Sequence, residues 1–227
     1  MIWEPHESPS PHVPNPKSRF PTLNAIVDVD AARAAGWAAI EVARACIAGG
    51  GRFLQVRAKQ QPGAAFLELA RAVVALARPS GAIVIVNDRA DIAKLAGADG
   101  VHLGQEDLSP SAARAILGPF ALIGRSTHSL TQIEAAATEP VDYLAIGPVF
   151  ETTTKATGYD AVGLEMVAKA ASTGCPVVAI GGIKLHNARS AIAAGATSVA
   201  LISDLLVTGD PARRTTEFLD ALGTARR

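Results

Sequence analysis

A chain of 227 residues in which 21 Lys and Arg balance 21 Asp and Glu carries no formal net charge, which excludes the broad basic footprint of a nucleic-acid-binding or anionic-membrane-binding surface. Hydrophobic residues make up 49 % and aromatics 4 %, so the core must be built of Ala, Val, Ile and Leu, and the length suits a single α/β barrel. No apolar run reaches the ~18 residues of a membrane span, and Cys46 and Cys175 stand alone, at neither metal nor redox spacing, as in a reduced cytoplasmic protein.

The first 21 residues contain six prolines and lack a basic stretch followed by an apolar one, so residues 1–21 are expected to form an extended or disordered tail rather than a secretory signal. Residues 22–227 are expected to form one folded domain. Short apolar runs follow at NAIVDV (24–29), RFLQVR (52–57), IVIVND (83–88) and GVHLG (100–104), then at LIGRS (122–126), YLAIGPVF (143–150), PVVAIGG (176–182) and SVALIS (198–203). Between them lie Ala-rich stretches such as AAFLELARAVVALA, whose apolar spacing of three and four reads as helix. Continuous apolar strands alternating with helices imply a parallel sheet buried on both faces, and eight units in a chain of this length fit a (β/α)8 TIM barrel. An open doubly wound sheet is the competing arrangement, but no GxGxxG follows the first strand, which removes its usual dinucleotide site.

In a barrel the functional groups gather at the C-terminal ends of the strands, and polar residues concentrate there. The alternation in LQVRAK puts Gln55, Arg57 and Lys59 on one face. Such a face is costly to bury without an anion, and Arg with Lys suits phosphate or pyrophosphate. Asn87, Asp88 and Asp107 follow on the next strand ends, with Ser126 beyond them. Two carboxylates on neighbouring strands suit Mg²⁺ bridged to a diphosphate, whereas each aspartate also precedes a helix, which makes capping the rival role. Gly181-Gly182 and Ile202-Ser203 end the last two strands, where barrel loops bind phosphate through backbone N–H groups. The loop GPVFETTTK lies between the two halves, and Thr152, Thr154 and Lys155 would serve both.

Taken together, LQVRAK, NDRADIA…GADGVHLGQEDL, IGRSTHS, YLAIGPVFETTTK and PVVAIGGI resemble the thiamine phosphate synthase family from about Leu23 to Leu222. The resemblance implies a soluble transferase that joins a pyrimidine methyl diphosphate to a thiazole phosphate, or its carboxylate, and releases pyrophosphate by a dissociative path. Carried onto this chain, it implies that Gln55, Arg57, Lys59, Asn87, Ser126 and Lys155 contact the pyrimidine diphosphate, with Arg57, Lys59, Lys155 and Ser126 the catalytic set. It further implies that Asp88 and Asp107 hold Mg²⁺, and that Thr152, Thr154, Gly182, Ile202 and Ser203 bind the thiazole phosphate. Glu151 departs from the family, where proline commonly precedes the Thr run. A thiazole tautomerase of the same fold, using His128, and a non-catalytic thiamine-metabolite sensor are the alternative readings. Assembly into a homo-oligomer is left open.

Overall fold

The computed structural model describes residues 20–152 and 159–223. Eight parallel strands close into a barrel in chain order, each hydrogen-bonded to the next and the eighth to the first. They are β1 (Leu23–Asp28), β2 (Phe53–Arg57), β3 (Ile83–Asn87), β4 (Gly100–Leu103), β5 (Leu122–Thr127), β6 (Tyr143–Ile146), β7 (Val177–Ile180) and β8 (Ser198–Leu201). Helices α1 (Val29–Ala34) and α2 (Ala39–Ala48) both follow β1. Next come α3 (Gly63–Ala77), α4 (Ala90–Ala96), α5 (Pro110–Leu117) and α6 (Leu130–Ala137), each after its strand. The outer ring is completed by α7 (Gly163–Ala171), α8 (Ala188–Ala193) and α9 (Pro211–Ala221), the last reached from β8 through a 3-10 turn at Ser203–Leu205.

The period of two along each strand divides the apolar residues into two cores. Leu54, Val56, Val84, Val86, Ile123 and Leu144 point outward and pack under the helices. Ile26, Phe53, Ile85, Leu122, Tyr143, Val178 and Ala200 point inward and fill the barrel. Continuing that alternation toward the C-terminal ends brings Asp28, Arg57, Asn87, His102 and Ser126 to the same inner face, so the sequence that builds the core also aims the site.

Two expectations are corrected here. Phe20 is 6 % exposed and packs inside the barrel, with its ring centroid 5.7 Å from that of Phe53 and 5.3 Å from that of Tyr143. The Pro21 carbonyl accepts a hydrogen bond from Ser198 Oγ. The folded domain therefore begins by Phe20, not after Pro21, because an aromatic ring closes the barrel floor; residues 1–19 of the expected tail lie outside the described residues. The run 143–150, expected as one strand, ends at Ile146, where a cis Gly147-Pro148 peptide follows. Pro148 has no N–H to continue the ladder, although Val149 and Phe150 still donate to the Ile180 and Gly181 carbonyls at 2.8 and 3.0 Å.

Candidate active site

At the ends of β1 and β2, Asp28 and Arg57 lie side by side in register, and Arg57 Nη1 donates to Asp28 Oδ2 in a close ion pair. The other oxygen, Asp28 Oδ1, accepts the Ala31 N–H at 2.9 Å and so caps α1. Asp28 thus supplies Arg57 with an anionic partner from within the chain. The pairing is partial, since Arg57 Nε is buried with no partner among the described residues. Gln55 is buried one pleat deeper.

Beside this pair, Lys59 Nζ lies 3.1 Å from Asp88 Oδ2. Asp88 has φ +66, the left-handed region, and is the one non-glycine residue there among the described residues; such conformations cluster where a side chain has been aimed for function. Its carboxyl pKa is raised above the ordinary value, first by burial and then by the adjacent Asp107 carboxyl, with Lys59 opposing. Asp107 is fixed by the Gly104 N–H, which donates to its Oδ2 at 2.6 Å, while Arg125 Nη1 holds the Gly104 carbonyl at 2.6 Å. Neither aspartate caps a helix: α4 starts after Arg89 without a side-chain cap, and α5 is capped by Ser109 Oγ. The capping alternative is therefore rejected by the local geometry. Asn87 is buried beside them at the end of β3.

Ser126 joins the two halves of the barrel mouth. Its Oγ lies 2.8 Å from His102 Nε2, whose Nδ1 lies 3.0 Å from the hydroxyl of fully buried Tyr143. The Ser126 carbonyl accepts from Gln105 Nε2 at 2.5 Å. This polar line fits because position 124 is glycine: a Cβ there would sit 2.1 Å from Tyr143 Cζ and 2.4 Å from its oxygen.

On its other side Ser126 opens onto a cavity of about 620 Å³ whose wall includes Thr152, Gly182, Ile202 and Ser203. Gly182 has φ +66, and a Cβ on it would meet the Glu151 carbonyl oxygen at 2.5 Å and Phe150 Cβ at 2.7 Å. The Gly182 N–H has no acceptor among the described residues, which leaves it available to an anion. His128 also lines the cavity; its Nδ1 lies 2.5 Å from the Gly147 carbonyl, so that nitrogen donates, and its ring stacks on Tyr159 at 4.1 Å. Thr154 and Lys155 lie outside the described residues.

Of the positions expected from sequence, Lys59, Asp88 and Asp107 thus form one cluster, and Ser126, Thr152, Gly182, Ile202 and Ser203 share one cavity. Asp28 and Tyr143 were missed. Asp28 follows Asn24 and Ile26 at a period of two, a signal hidden by reading the first strand only for its apolar residues.

A family model described as thiamine monophosphate synthase matches residues 23–205. The chain belongs to that family. It is 45 % identical over 207 residues to a thiamine-phosphate synthase of Koribacter versatilis, covering 90 % of this chain and 97 % of the relative. Against a thiamine-phosphate synthase of Azorhizobium caulinodans it is 42 % identical over 189 residues, covering 83 % and 89 % respectively. Among solved structures, a thiamine phosphate pyrophosphorylase from Pyrococcus furiosus superposes with a TM-score of 0.81 at 33 % identity, over 89 % of this chain and 95 % of that one. The activity of this barrel is accordingly that of a thiamine-phosphate synthase, a transferase. Among the described residues no helix is long and apolar enough to cross a membrane.

Proposed function

We propose that the cluster at β1–β4 binds the diphosphate of a pyrimidine methyl diphosphate together with Mg²⁺, and that the β5–β8 cavity binds a thiazole phosphate. The charge balance supports this most directly. Among the described residues the cluster has two cations, Arg57 and Lys59, against three carboxylates, Asp28, Asp88 and Asp107, so even with Lys155 added it offers a diphosphate no net positive charge. A divalent cation on Asp88 and Asp107 makes the site net positive, and two neighbouring carboxylates with substrate phosphates completing the shell suit Mg²⁺. When bound, the ion would supply neutralisation of the negative charge that grows on the departing pyrophosphate.

The chain's own residues do the rest. Arg57, held by Asp28, presents its remaining donors to the diphosphate, and Lys59 adds a mobile ammonium. Lys155 would reach the same group. Gln55, Asn87 and Ser126 orient the pyrimidine, with Ser126 held by His102. The Gly182 and Ile202 backbone and the hydroxyls of Thr152, Thr154 and Ser203 fix the thiazole phosphate, so the thiazole nitrogen faces the pyrimidine methylene as pyrophosphate leaves. The path is dissociative: the C–O bond breaks toward a pyrimidine methylene cation, the thiazole nitrogen donates its lone pair to that carbon, and the fixed cations stabilise the leaving group. No protein nucleophile is required. The two cysteines, both free thiols, suit a cytoplasmic protein.

Calorimetric titration with the pyrimidine diphosphate tests the charge argument. Affinity should rise at least tenfold on adding Mg²⁺, and equal affinity with and without the ion would remove the metal from the reading.

A further inference from the structure

The cavity wall contains a carboxylate that a phosphate site should not tolerate. Asp204 directly follows Ser203 in the 3-10 turn after β8, lines the same cavity and is 8 % exposed. It is held by Arg214 of α9. Arg214 Nη2 and Nε donate to Asp204 Oδ2 at 2.5 and 3.1 Å, and Nε also reaches the Asp204 backbone carbonyl at 3.2 Å. The guanidinium is itself fixed: Nη1 donates to Glu217 Oε2 at 3.0 Å, and the group lies 5.1 Å above the Phe218 ring. With its side chain 13 % exposed, Arg214 is a braced fork rather than a loose surface arginine.

We propose that Arg214 is a positioning residue for the phosphate-binding turn. By gripping both the side chain and the backbone of Asp204, it fixes the Ile202–Ser203 backbone that faces the cavity. By neutralising the carboxylate, it keeps the wall from repelling an anion. The inference rests on the reading above, in which this end of the cavity takes the phosphate of the thiazole substrate. Two effects are separable here, position and charge. Arg214→Ala loses both, because the turn is released and Asp204 is left as an unpaired anion. Arg214→Ala combined with Asp204→Asn loses the grip but removes the charge.

Titration calorimetry of the full chain with the thiazole phosphate, with Ser203→Ala as reference, tests this. Arg214→Ala should weaken binding by about tenfold or more, and the double variant should recover about threefold of that loss, as coupling within a charge pair requires. Affinity for the pyrimidine diphosphate with Mg²⁺ should stay within twofold in both, a readout that general loss of structure would move. If Arg214→Ala does not fold, the double variant alone should still bind the thiazole phosphate weaker than the parent by threefold or more. Affinities within twofold of the parent in the Arg214 variants, with Ser203→Ala weakened, would overturn the role of Arg214 alone. An unweakened Ser203→Ala would instead overturn the phosphate assignment on which it rests.

Discussion

Asp28 and Arg57 meet at the ends of adjacent strands, and one carboxylate serves two elements: Oδ2 takes the guanidinium while Oδ1 caps α1 through Ala31 at 2.9 Å. The arginine offered to a diphosphate is therefore oriented before any ligand arrives, by a residue that need not touch the ligand. Preorganised charge is what stabilises a leaving group efficiently, since no reorganisation is needed as the bond breaks.

Asp28→Ala should cost stability and turnover together. Loss of the cap removes about 1 kcal/mol, and leaving Arg57 buried without its counter-ion adds to that. The expected result is a lower urea midpoint and a fall in kcat of at least tenfold; unchanged kcat in a folded variant would show that Arg57 is oriented by something else.

Tyr143, His102 and Ser126 form a line that depends on the missing side chain at Gly124. Gly124→Ala places a methyl within 2.1 Å of the Tyr143 ring, an overpacking that costs about 1–3 kcal/mol. Because Ser126 is held from the His102 side, turnover should fall by more than the affinity for the thiazole phosphate. A stability loss with unaltered kcat would mean that the line is packing alone.

The barrel was legible because strand composition and helix spacing are local properties, and the inner face of each strand follows from its period of two. Lys59, Asp88 and Asp107 were legible as a cluster because they end neighbouring strands. The Asp28–Arg57 pair was not, since it depends on the register between β1 and β2 across 29 residues, which alternation alone does not give. Phe20 was assigned to the tail because prolines dominate its surroundings, yet a buried ring outweighs local composition. Asp204 carried no signal either, since its partner Arg214 lies on another element.

Asp88 exchanges stability for charge. Burial and the Asp107 carboxyl disfavour its ionised form more than Lys59 favours it. Asp88→Asn keeps a residue that tolerates positive φ, so the metal-free chain should melt higher, by roughly 2–4 °C for each kcal/mol gained. The Mg²⁺ concentration needed for half-maximal turnover should rise at least tenfold. A lower melting temperature, or an unmoved Mg²⁺ dependence, would count against the placement of the ion.

Burial also governs the thiols. The Cys46 pKa is pushed from 9.0 to about 11, chiefly by burial with Thr215 opposing. A folded pKa above the unfolded one gives a contribution to stability that is complete below 9.0 and lost as pH rises through 11. Near neutral pH the thiol is therefore inert: iodoacetamide should leave Cys46 unmodified in the folded chain and label it after denaturation, as read by mass spectrometry. Labelling of Cys46 at the free-thiol rate in the folded chain would show that α2 opens readily.

The central claim is that the two halves of the barrel mouth hold two substrates for one Mg²⁺-assisted transfer. The measurement that tests it most directly is chromatographic detection of thiamine phosphate from purified chain, pyrimidine diphosphate, thiazole phosphate and Mg²⁺. A product peak that grows with time, releases pyrophosphate in equal amount and vanishes with EDTA is the predicted result. Binding of both substrates with no product would contradict the claim and leave a metabolite-binding protein in the frame of a synthase.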